Sequence, residues 1–426
     1  STASEDGMAG LGYLNTPWPA EDGGPQRLQV PNGGAGLGLR PGEGLHATAV
    51  TRVMSTMTVL GAPGEVYLLT HSAIRAQFGL PTSCRVSLID PVTLAPQAKS
   101  PLLPGGPMWP GGMALHANGD LYVVYGRWAH RLRRDCSVKE ALKLPLDLPY
   151  NSFVVLDNGL IVTKNISEGR NARLSVLRPD PLGFACRDIE CPEPAIARLS
   201  ACGNTLYVVG VQSIFRFDWD ETTQTLVLDD VWRAGYAAGT AQTYGWDAVL
   251  ALGQAWFMDN GKHRYRTSMI GRGVGLAPNR LVRVNLSDSN DFEAIEVSGV
   301  AGGSVTNPPL VDEARRIVVG YDSANRVMRA WSFDVDSSEL IGLWRKDGVG
   351  AASHMICLPE SGEIVTNDFG TGGEHVVVLD IETGAQKGRA RIGGVTQGVV
   401  FPSPGWGRDV YWCAMSRFGR IAVVGE

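Results

Sequence analysis

Titratable side chains next to short apolar segments are the residues of this sequence with the clearest potential for chemistry. Imidazole, carboxylate, amine and phenol groups can take or give a proton, and they can stabilise charge on a bound molecule. The relevant groups lie where segments such as VYLLTH end, or where the preceding segment begins. The predicted catalytic residues are His46, His71, His354, Lys164, Tyr244, Asp247 and Asp322.

Two carboxylates in the same setting, Asp259 and Asp368, are predicted metal ligands together with His46 and His354. Such a donor set could hold a divalent ion that polarises a carbonyl group or activates water. A metal-free alternative stays open, in which a His–Asp pair is the general base and a lysine or tyrosine donates a proton. One divalent metal ion is therefore the possible cofactor.

A third set of residues predicts how a substrate would be captured. Aromatic rings offer a stacking surface, and the basic loop KHRYRTS could pair with a carboxylate or phosphate group. The connections 71–84, 232–246 and 260–278 are long, and long loops in compact folds often bind ligands. The predicted substrate-binding residues are Trp109, Tyr125, Asn151, Trp246, Asn307, Lys262, His263 and Arg264.

The elements that must position these residues are repeated apolar strands. They read VYLLTH, LYVVYG, LIVTKN, LYVVGV, AWFMDN, IVVGYD, IVTNDF and VYWCAM, and their first residues are 55, 39, 46, 49, 62, 47 and 46 positions apart. Alternating apolar and polar residues between Gly, Asp and Ser turns are typical of antiparallel hairpins. This spacing predicts an all-β propeller of four-stranded blades, with eight blades preferred and seven as the alternative.

Closure of the ring is predicted to involve an N-terminal strand. The last repeat contains only three strands, near GVVFPS, VYWCAM and GRIAVV. A fourth strand from Gln26–Val30 would complete that blade and remove an exposed sheet edge. The predicted organisation is an N-terminal extension over 1–25 and one propeller domain over 26–426. The long loops and the titratable groups would then share one face, at the mouth of the central channel.

The repeat plan, the N-terminal YLNTPWPAEDGGPQ and blade endings such as LDIETG resemble the quinoprotein-like propeller superfamily. The vicinal cysteine pair and the tryptophan-docking repeats of quinoprotein dehydrogenases are missing from the sequence, so PQQ is not expected. PYNSFVVLDNG around Asn151 is similar to segments of gluconolactonase and strictosidine-synthase propellers. That second resemblance implies a metal held by Asn, Asp and Glu at inner strand ends.

Composition narrows the class of partners. The formal net charge of −5 gives no reason to expect nucleic acid. No apolar run approaches the roughly 18 residues of a membrane helix, so we expect a soluble protein, either cytoplasmic or exported after signal removal. Seven cysteines are present, and Cys186 could pair with Cys191, with Cys202 as a competing partner.

The predicted function is an enzyme that acts on a small organic molecule at the channel mouth by non-redox chemistry. Hydrolysis, hydration, elimination and isomerisation all need an acid–base pair or a metal Lewis acid. The alternative is a propeller that binds a protein or a glycan without turnover, and it would show a large apolar patch on its rim. A quinoprotein-type oxidoreductase is the third hypothesis, since a propeller by itself serves many functions.

Overall fold

Hairpin pairing organises the chain into successive four-stranded antiparallel units. The computed structural model describes residues 10–33, 36–105, 111–167, 169–261, 276–395 and 400–425. The first three units are β1 (Gly44–Leu60), β2 (Val66–His71), β3 (Ser83–Ile89) and β4 (Pro96–Lys99) with β5 (Leu103–Pro104) beside β3; β6 (Gly112–Leu115), β7 (Leu121–Gly126), β8 (Trp128–Leu132) and β9 (Val138–Lys143); and β10 (Tyr150–Val155), β11 (Ile161–Asn165), β12 (Arg173–Pro179) and β13 (Leu182–Phe184) with β14 (Ile189–Glu190) beside β12.

The remaining units follow the same order along the chain. They are β15 (Ser200–Cys202), β16 (Thr205–Val209), β17 (Ile214–Asp220) and β18 (Thr225–Ala234); β19 (Val249–Ala251), β20 (Gln254–Met258), β21 (Arg280–Asn285) and β22 (Asp288–Glu296); β23 (Leu310–Asp312), β24 (Ile317–Asp322), β25 (Val327–Asp334) and β26 (Glu339–Asp347); β27 (Ile356–Leu358), β28 (Glu363–Asn367), β29 (Glu374–Asp380) and β30 (Gln386–Gly393); and, last, β31 (Ser403–Pro404) and β32 (Asp409–Val424). Two short 3₁₀ turns, Glu21–Gly23 and Ala73–Phe78, are the only helical elements of the described residues. The chain is therefore an all-β propeller, as predicted.

The outer hairpins of three units close with the same aspartate turn, which explains why the repeat is visible in the sequence. Oδ1 of Asp90 accepts the N–H groups two and three residues further on, and Asp334 and Asp380 do the same. An aspartate in this position satisfies backbone donors that the hairpin itself leaves open.

The two ends of the described chain meet in one sheet. Residues 44–51 of β1 pair with residues 417–424 of β32, and residues 55–60 pair with β2. An N-terminal strand thus closes the ring, but it is β1 and not Gln26–Val30, which forms no strand. β1 joins the first and last units into one sheet, and β7 pairs with β10, which joins the second and third units into another. The hydrogen-bonded sheets therefore do not correspond one to one with blades. The count of eight blades stays a prediction, as does the division at residue 25.

Residues 13–30 run through the channel instead and bind the inner strands around it. Inner strands leave N–H groups unpaired on the edge that faces the channel, and carbonyl oxygens of this segment accept them. The bonds run from Leu60 to Trp18 (2.8 Å), Leu115 to Pro19 (2.8 Å), Ala201 to Pro25 (2.8 Å), Leu250 to Gln26 (3.0 Å) and Cys357 to Gln29 (2.7 Å). The N–H of Val155 also donates to the Tyr13 hydroxyl, and Nε2 of Gln29 donates to the Pro309 carbonyl. The segment therefore contacts every four-stranded unit.

Apolar side chains of neighbouring units pack together to form the core. Trp256 of β20 meets Phe333 of β25 edge-on, with ring centres 4.9 Å apart, and thereby joins two successive units. All seven cysteines are free thiols, so the pairing considered for Cys186 does not occur here. No helix in the described part of the chain is long and apolar enough to cross a membrane.

Candidate active site in the channel

A histidine–aspartate pair lies at the centre of the ring. His354 lies two residues before β27, Asp22 belongs to residues 13–30, and both side chains are fully buried. Nδ1 of His354 is 2.6 Å from Oδ1 of Asp22. Since an ionised carboxylate only accepts hydrogen bonds, we assign the proton to Nδ1 and the lone pair to Nε2. Nε2 has no hydrogen-bond partner among the described residues, and Oδ2 of Asp247 lies 3.9 Å from it.

Asp247 and Phe401 hold an arginine beside this histidine. The backbone N–H of Arg198 donates to Oδ1 of Asp247 at 2.7 Å, and its Nη1 donates to Oδ2 at 3.0 Å. The guanidinium carbon lies 4.6 Å from the centre of the Phe401 ring, and the His354 ring centre is 4.1 Å from the same ring. A cation over a ring face is stabilised by the ring quadrupole. One carboxylate and one ring therefore set the positions of both groups.

Glu21 and Arg27 complete the cluster from the segment 13–30. Nη1 of Arg27 donates to Oδ2 of Asp22 at 2.7 Å, and its Nε donates to the Leu199 carbonyl at 2.9 Å. The Glu21 oxygens lie 3.6 Å from Nη2 of Arg27 and 3.7 Å from Nε of Arg198. These two separations are too long for hydrogen bonds, so the Glu21 carboxyl touches neither guanidinium closely.

Burial changes the proton affinities of these groups. It raises the pKa of Glu21 to about 7, with Arg27 and Arg198 opposing the rise. Burial lowers the pKa of His354, against the opposing effect of Asp22, so the imidazole is neutral near neutral pH. Burial also disfavours the Asp22 carboxylate, but His354 and Arg27 keep the pKa of that group below its usual range. A neutral base thus stands beside a carboxyl group that titrates near neutrality.

The predicted catalytic residue Lys164 lies next to the cluster, at the end of β11. Its fully buried Nζ donates to the carbonyls of Asn165 and Ala195, both at 3.1 Å. Burial lowers the pKa of Lys164 to about 8, and Cys191 and Asp247 partly offset this.

The backbone that carries Asp22 is strained. Asp22, Arg27 and Gln29 have φ values of 56°, 55° and 58°, in the left-handed region that non-glycine residues rarely adopt. Each such residue costs on the order of 1 kcal/mol or more, and the strain persists only where the surroundings impose it. All three side chains are buried and bonded to the ring. Eleven other described non-glycine residues, among them Arg326 and Ser338 in turns, have positive φ values as well, so the backbone conformation alone does not mark a functional site.

Of the predicted site residues, the structure brings together His354, Asp247 and Lys164. His46 does not join them, because it lies in the part of β1 that pairs with β32, opposite Ala422, where its side chain is exposed. The expected metal set of His46 with His354 is therefore not assembled.

His71 and Tyr125 form a separate buried pair between the first two units. Their ring centres are 5.8 Å apart, and burial lowers the pKa of His71 to about 4. Tyr125 pairs with Asn151 through the backbone of β7 and β10. This pair is not among the groups that contact His354.

The three remaining aspartates of the prediction are occupied by structural contacts. Asp259 binds Nε of Arg280 at 2.7 Å, and Asp368 binds Arg389 at 2.7 Å. Asp322 accepts the Ser298 hydroxyl at 2.6 Å and caps the turn after β24. Neither predicted metal ligand, Asp259 or Asp368, contacts the cluster around His354.

The predicted substrate-binding residues are dispersed. Trp246 is buried and meets the ring of Tyr244, a predicted catalytic residue, edge-on, with ring centres 6.1 Å apart, just before Asp247 in the chain. Asn307 is buried and donates to the carbonyl of Ala352, two residues before His354 in the chain. Trp109, Lys262, His263 and Arg264 lie outside the described residues.

Sequence reasoning missed four members of the cluster. Glu21, Asp22 and Arg27 lie in a Pro- and Gly-rich stretch before the first repeat, where no periodic pattern draws attention to them. Arg198 precedes an inner strand, as His354 and Asp247 do, so the same positional argument could have found it. The sequence thus contains a positional signal for Arg198 but none for Glu21, Asp22 and Arg27.

Comparisons with known proteins identify no family. No protein-family model and no curated protein matches the sequence. Similar solved structures are the Pan2 WD40 domain of Neurospora crassa (8% identity, TM-score 0.49, 90% of this chain and 96% of that one), the Cps50 (Swd1) β-propeller domain of Myceliophteria thermophila (9%, 0.49, 90% and 100%) and apo AztD of Citrobacter koseri (10%, 0.47, 90% and 98%). At such identities and TM-scores they carry no argument about activity. The chain is a β-propeller, and its function has to be argued from its own channel.

Proposed function

We propose that this β-propeller is an enzyme that performs acid–base chemistry on a small organic molecule in its channel, with His354 as the general base. The observation that carries the proposal is the 2.6 Å contact between Asp22 and Nδ1 of His354, with Nε2 left without a partner among the described residues. Asp22 orients the ring and fixes its tautomer, as the third group does in catalytic triads. It is a positioning residue.

The complementary acid in this proposal is Glu21. Burial raises its pKa to about 7, so a protonated fraction is available at neutral pH. Two titratable groups whose environments move their pKa values in opposite directions are a common arrangement of catalytic base and acid. Proton removal by His354 and proton delivery by Glu21 would serve hydration, elimination or isomerisation, and His354 could equally activate water for hydrolysis.

The test is a direct assay of proton transfer. Small ketones, lactones and hydroxy acids are incubated with the protein in D₂O, and exchange of C–H for C–D and product formation are followed by ¹H NMR. We expect activity in the wild type and a loss of about 10²-fold or more in His354→Gln. His130 is the matched control, since it is also buried, with a pKa lowered to about 4 by burial, but lies on β8.

Turnover in His130→Gln at the wild-type rate, together with its loss in His354→Gln, would support the proposal. Equal rates in the wild type and His354→Gln, or no turnover by the wild type on any of these compounds, would contradict it. Melting temperatures of the variants separate a chemical loss from unfolding.

A metal-assisted version at the same side chains is the second candidate. Asp22, Asp247 and His354 each offer one donor atom, and these atoms lie within 4.8 Å of one another. The carboxylates already accept hydrogen bonds from Arg27 and Arg198, so a metal would have to replace some of these contacts. About one equivalent of metal in the purified protein, absent from Asp247→Asn, would favour this version. Activity that survives a chelator would favour the metal-free one.

The binding-module alternative and the quinoprotein-like affiliation also stay proposals. Ile74, Phe78 and Leu80 in the connection after β2 are 51%, 73% and 48% exposed, which is the kind of apolar surface that a protein partner would cover. A binding module would not need the buried base His354, and for this reason we place acid–base chemistry first.

A further inference from the structure

Arg198 is a buried guanidinium whose orientation is fixed on two sides. Asp247 takes its Nη1 and its backbone N–H, and Phe401 lies under its plane. The side chain has no exposed surface. A guanidinium held in this way cannot turn to find other partners, so the direction of its remaining N–H groups is set by the fold.

The opposite edge of Arg198 lacks hydrogen-bond acceptors. Nε and Nη2 have no hydrogen-bond acceptor among the described residues, although both are buried. The Glu21 oxygen near Nε lies 3.7 Å away, beyond hydrogen-bond distance. Nη2 of Arg27 is unpartnered in the same way, 3.6 Å from the other Glu21 oxygen. A buried N–H without an acceptor costs about 1–3 kcal/mol, and more on a charged group.

The chemistry of this edge selects its ligand. Nε and Nη2 of one guanidinium point in parallel and match the two oxygens of a carboxylate, which is the bidentate geometry that lysine cannot reproduce. Building on the proposed function, we propose that Arg198 binds the carboxylate group of a small organic acid through Nε and Nη2, so that the substrate of the channel is a carboxylic acid.

Arg198 and the base share one neighbour. Oδ2 of Asp247 lies 3.0 Å from Nη1 of Arg198 and 3.9 Å from Nε2 of His354. A carboxylate bound to Arg198 would therefore lie in the same cluster as the base. Glu21 would be the second neighbour of the bound acid, and its protonated form would avoid repulsion between the two carboxyl groups. Because the whole cluster is buried, we expect slow association that requires local opening of the channel.

Two probes test the binding directly. Pyruvate is titrated into the full-length protein and followed by calorimetry and by the ¹H–¹⁵N signal of arginine Nε, with pyruvamide at equal concentration as the uncharged counterpart. We expect pyruvate to bind and to shift one arginine Nε signal, and pyruvamide to bind at least about tenfold more weakly, which corresponds to about 1.4 kcal/mol.

Arg198→Lys keeps the positive charge beside Asp247 but removes the two parallel N–H donors, Nε and Nη2. The affinity for pyruvate should therefore fall about tenfold or more. Arg216→Lys is the matched control, because Arg216 also binds a carboxylate, Asp229 at 2.9 Å, and lies over a ring, that of Trp232, on the outer side of its unit. Its affinity should equal that of the wild type.

Equal affinity of the wild type for pyruvate and pyruvamide, or an unchanged affinity in Arg198→Lys, would overturn the proposal. The wild-type comparison decides the question even if Arg198→Lys does not fold. Proton exchange that depends on His354 without preference for acids would refute the carboxylate site alone. Pyruvate binding that depends on Arg198 without any turnover would refute the proposed enzyme and leave the binding site.

Discussion

Replacement of Glu21 by glutamine should remove a pH-dependent loss of stability from the channel. The carboxyl group is buried, lies 3.6 and 3.7 Å from two guanidinium nitrogens, and has carboxylates of Asp22 and Asp247 nearby. Burial raises its pKa from 4.5 to about 7. The folded protein then holds a proton that the unfolded chain releases, so the free energy of unfolding falls as the pH rises from 4.5 through about 7. Glutamine has the same shape and does not titrate.

The expected size follows from the pKa values. A rise from 4.5 to about 7 corresponds to about 3 kcal/mol in total, since each pKa unit is worth about 1.36 kcal/mol. Most of this is lost between about pH 5 and about pH 8. Relative to the wild type, Glu21→Gln should therefore gain about 2–3 kcal/mol in unfolding free energy over that range.

Guanidinium chloride titrations followed by tryptophan fluorescence, at several pH values, measure this difference. Glu382→Gln is the control, because its side chain is 65% exposed and the variant should stay within about 0.5 kcal/mol of the wild type at each pH. A difference between Glu21→Gln and the wild type that does not change with pH would refute the reasoning. It would mean that the two arginines keep Glu21 ionised throughout, and Glu21 would then lose its proposed role as the acid.

Two further predictions concern the ring. Burial raises the pKa of Glu374 to about 8, so Glu374→Gln should be more stable than the wild type above about pH 8 and lose this advantage towards pH 5. Denaturant midpoints measure this difference, and equal midpoints at all pH values would contradict the prediction. A methyl group at Gly12 would lie 2.3 Å from the Leu156 carbonyl, whereas one at Gly44 would meet open space. Gly12→Ala should therefore lower the melting temperature by several degrees, and Gly44→Ala should not. Equal melting temperatures of the two variants would contradict the placement of the segment before residue 30.

The repeated strands could be predicted because their signals are local. Alternation of apolar residues sets which side of a strand is buried, and aspartate turns such as that of Asp380 close the hairpins within a few residues. The strands predicted from Val66, Leu121 and Ile317 accordingly begin at those residues.

The position of His46 could not be read from the same pattern. β1 is a single strand of 17 residues, and its first part pairs with β32 while its second part enters the ring. Periodicity does not show where a strand changes its partner. The prediction that His46 starts an inner strand therefore failed in position, while His354, before a short strand bounded by turns, was placed correctly.

The site itself depends on contacts between distant parts of the chain. Asp22 and His354 are 332 positions apart, and Arg198 and Asp247 are 49 apart. No local preference links such residues, since only closure of the ring brings the inner strands to one axis. Residues 13–25 belong to the predicted extension because they contain no alternation, whereas Gln26–Val30 is predicted as a strand. In the structure, residues 13–30 bind the inner strands of successive units.

The amino-acid sequence by itself determined the strands, the turns and hence the propeller, because these follow from alternation and turn chemistry over a few residues. It also identified His354, Asp247 and Lys164 as groups near the inner strands. Only the tertiary structure decided which charges share the channel, since burial and long-range closure together place Asp22 on the histidine and leave two N–H groups of Arg198 without acceptors. The pKa values of these groups depend on that burial, which no local stretch of sequence shows.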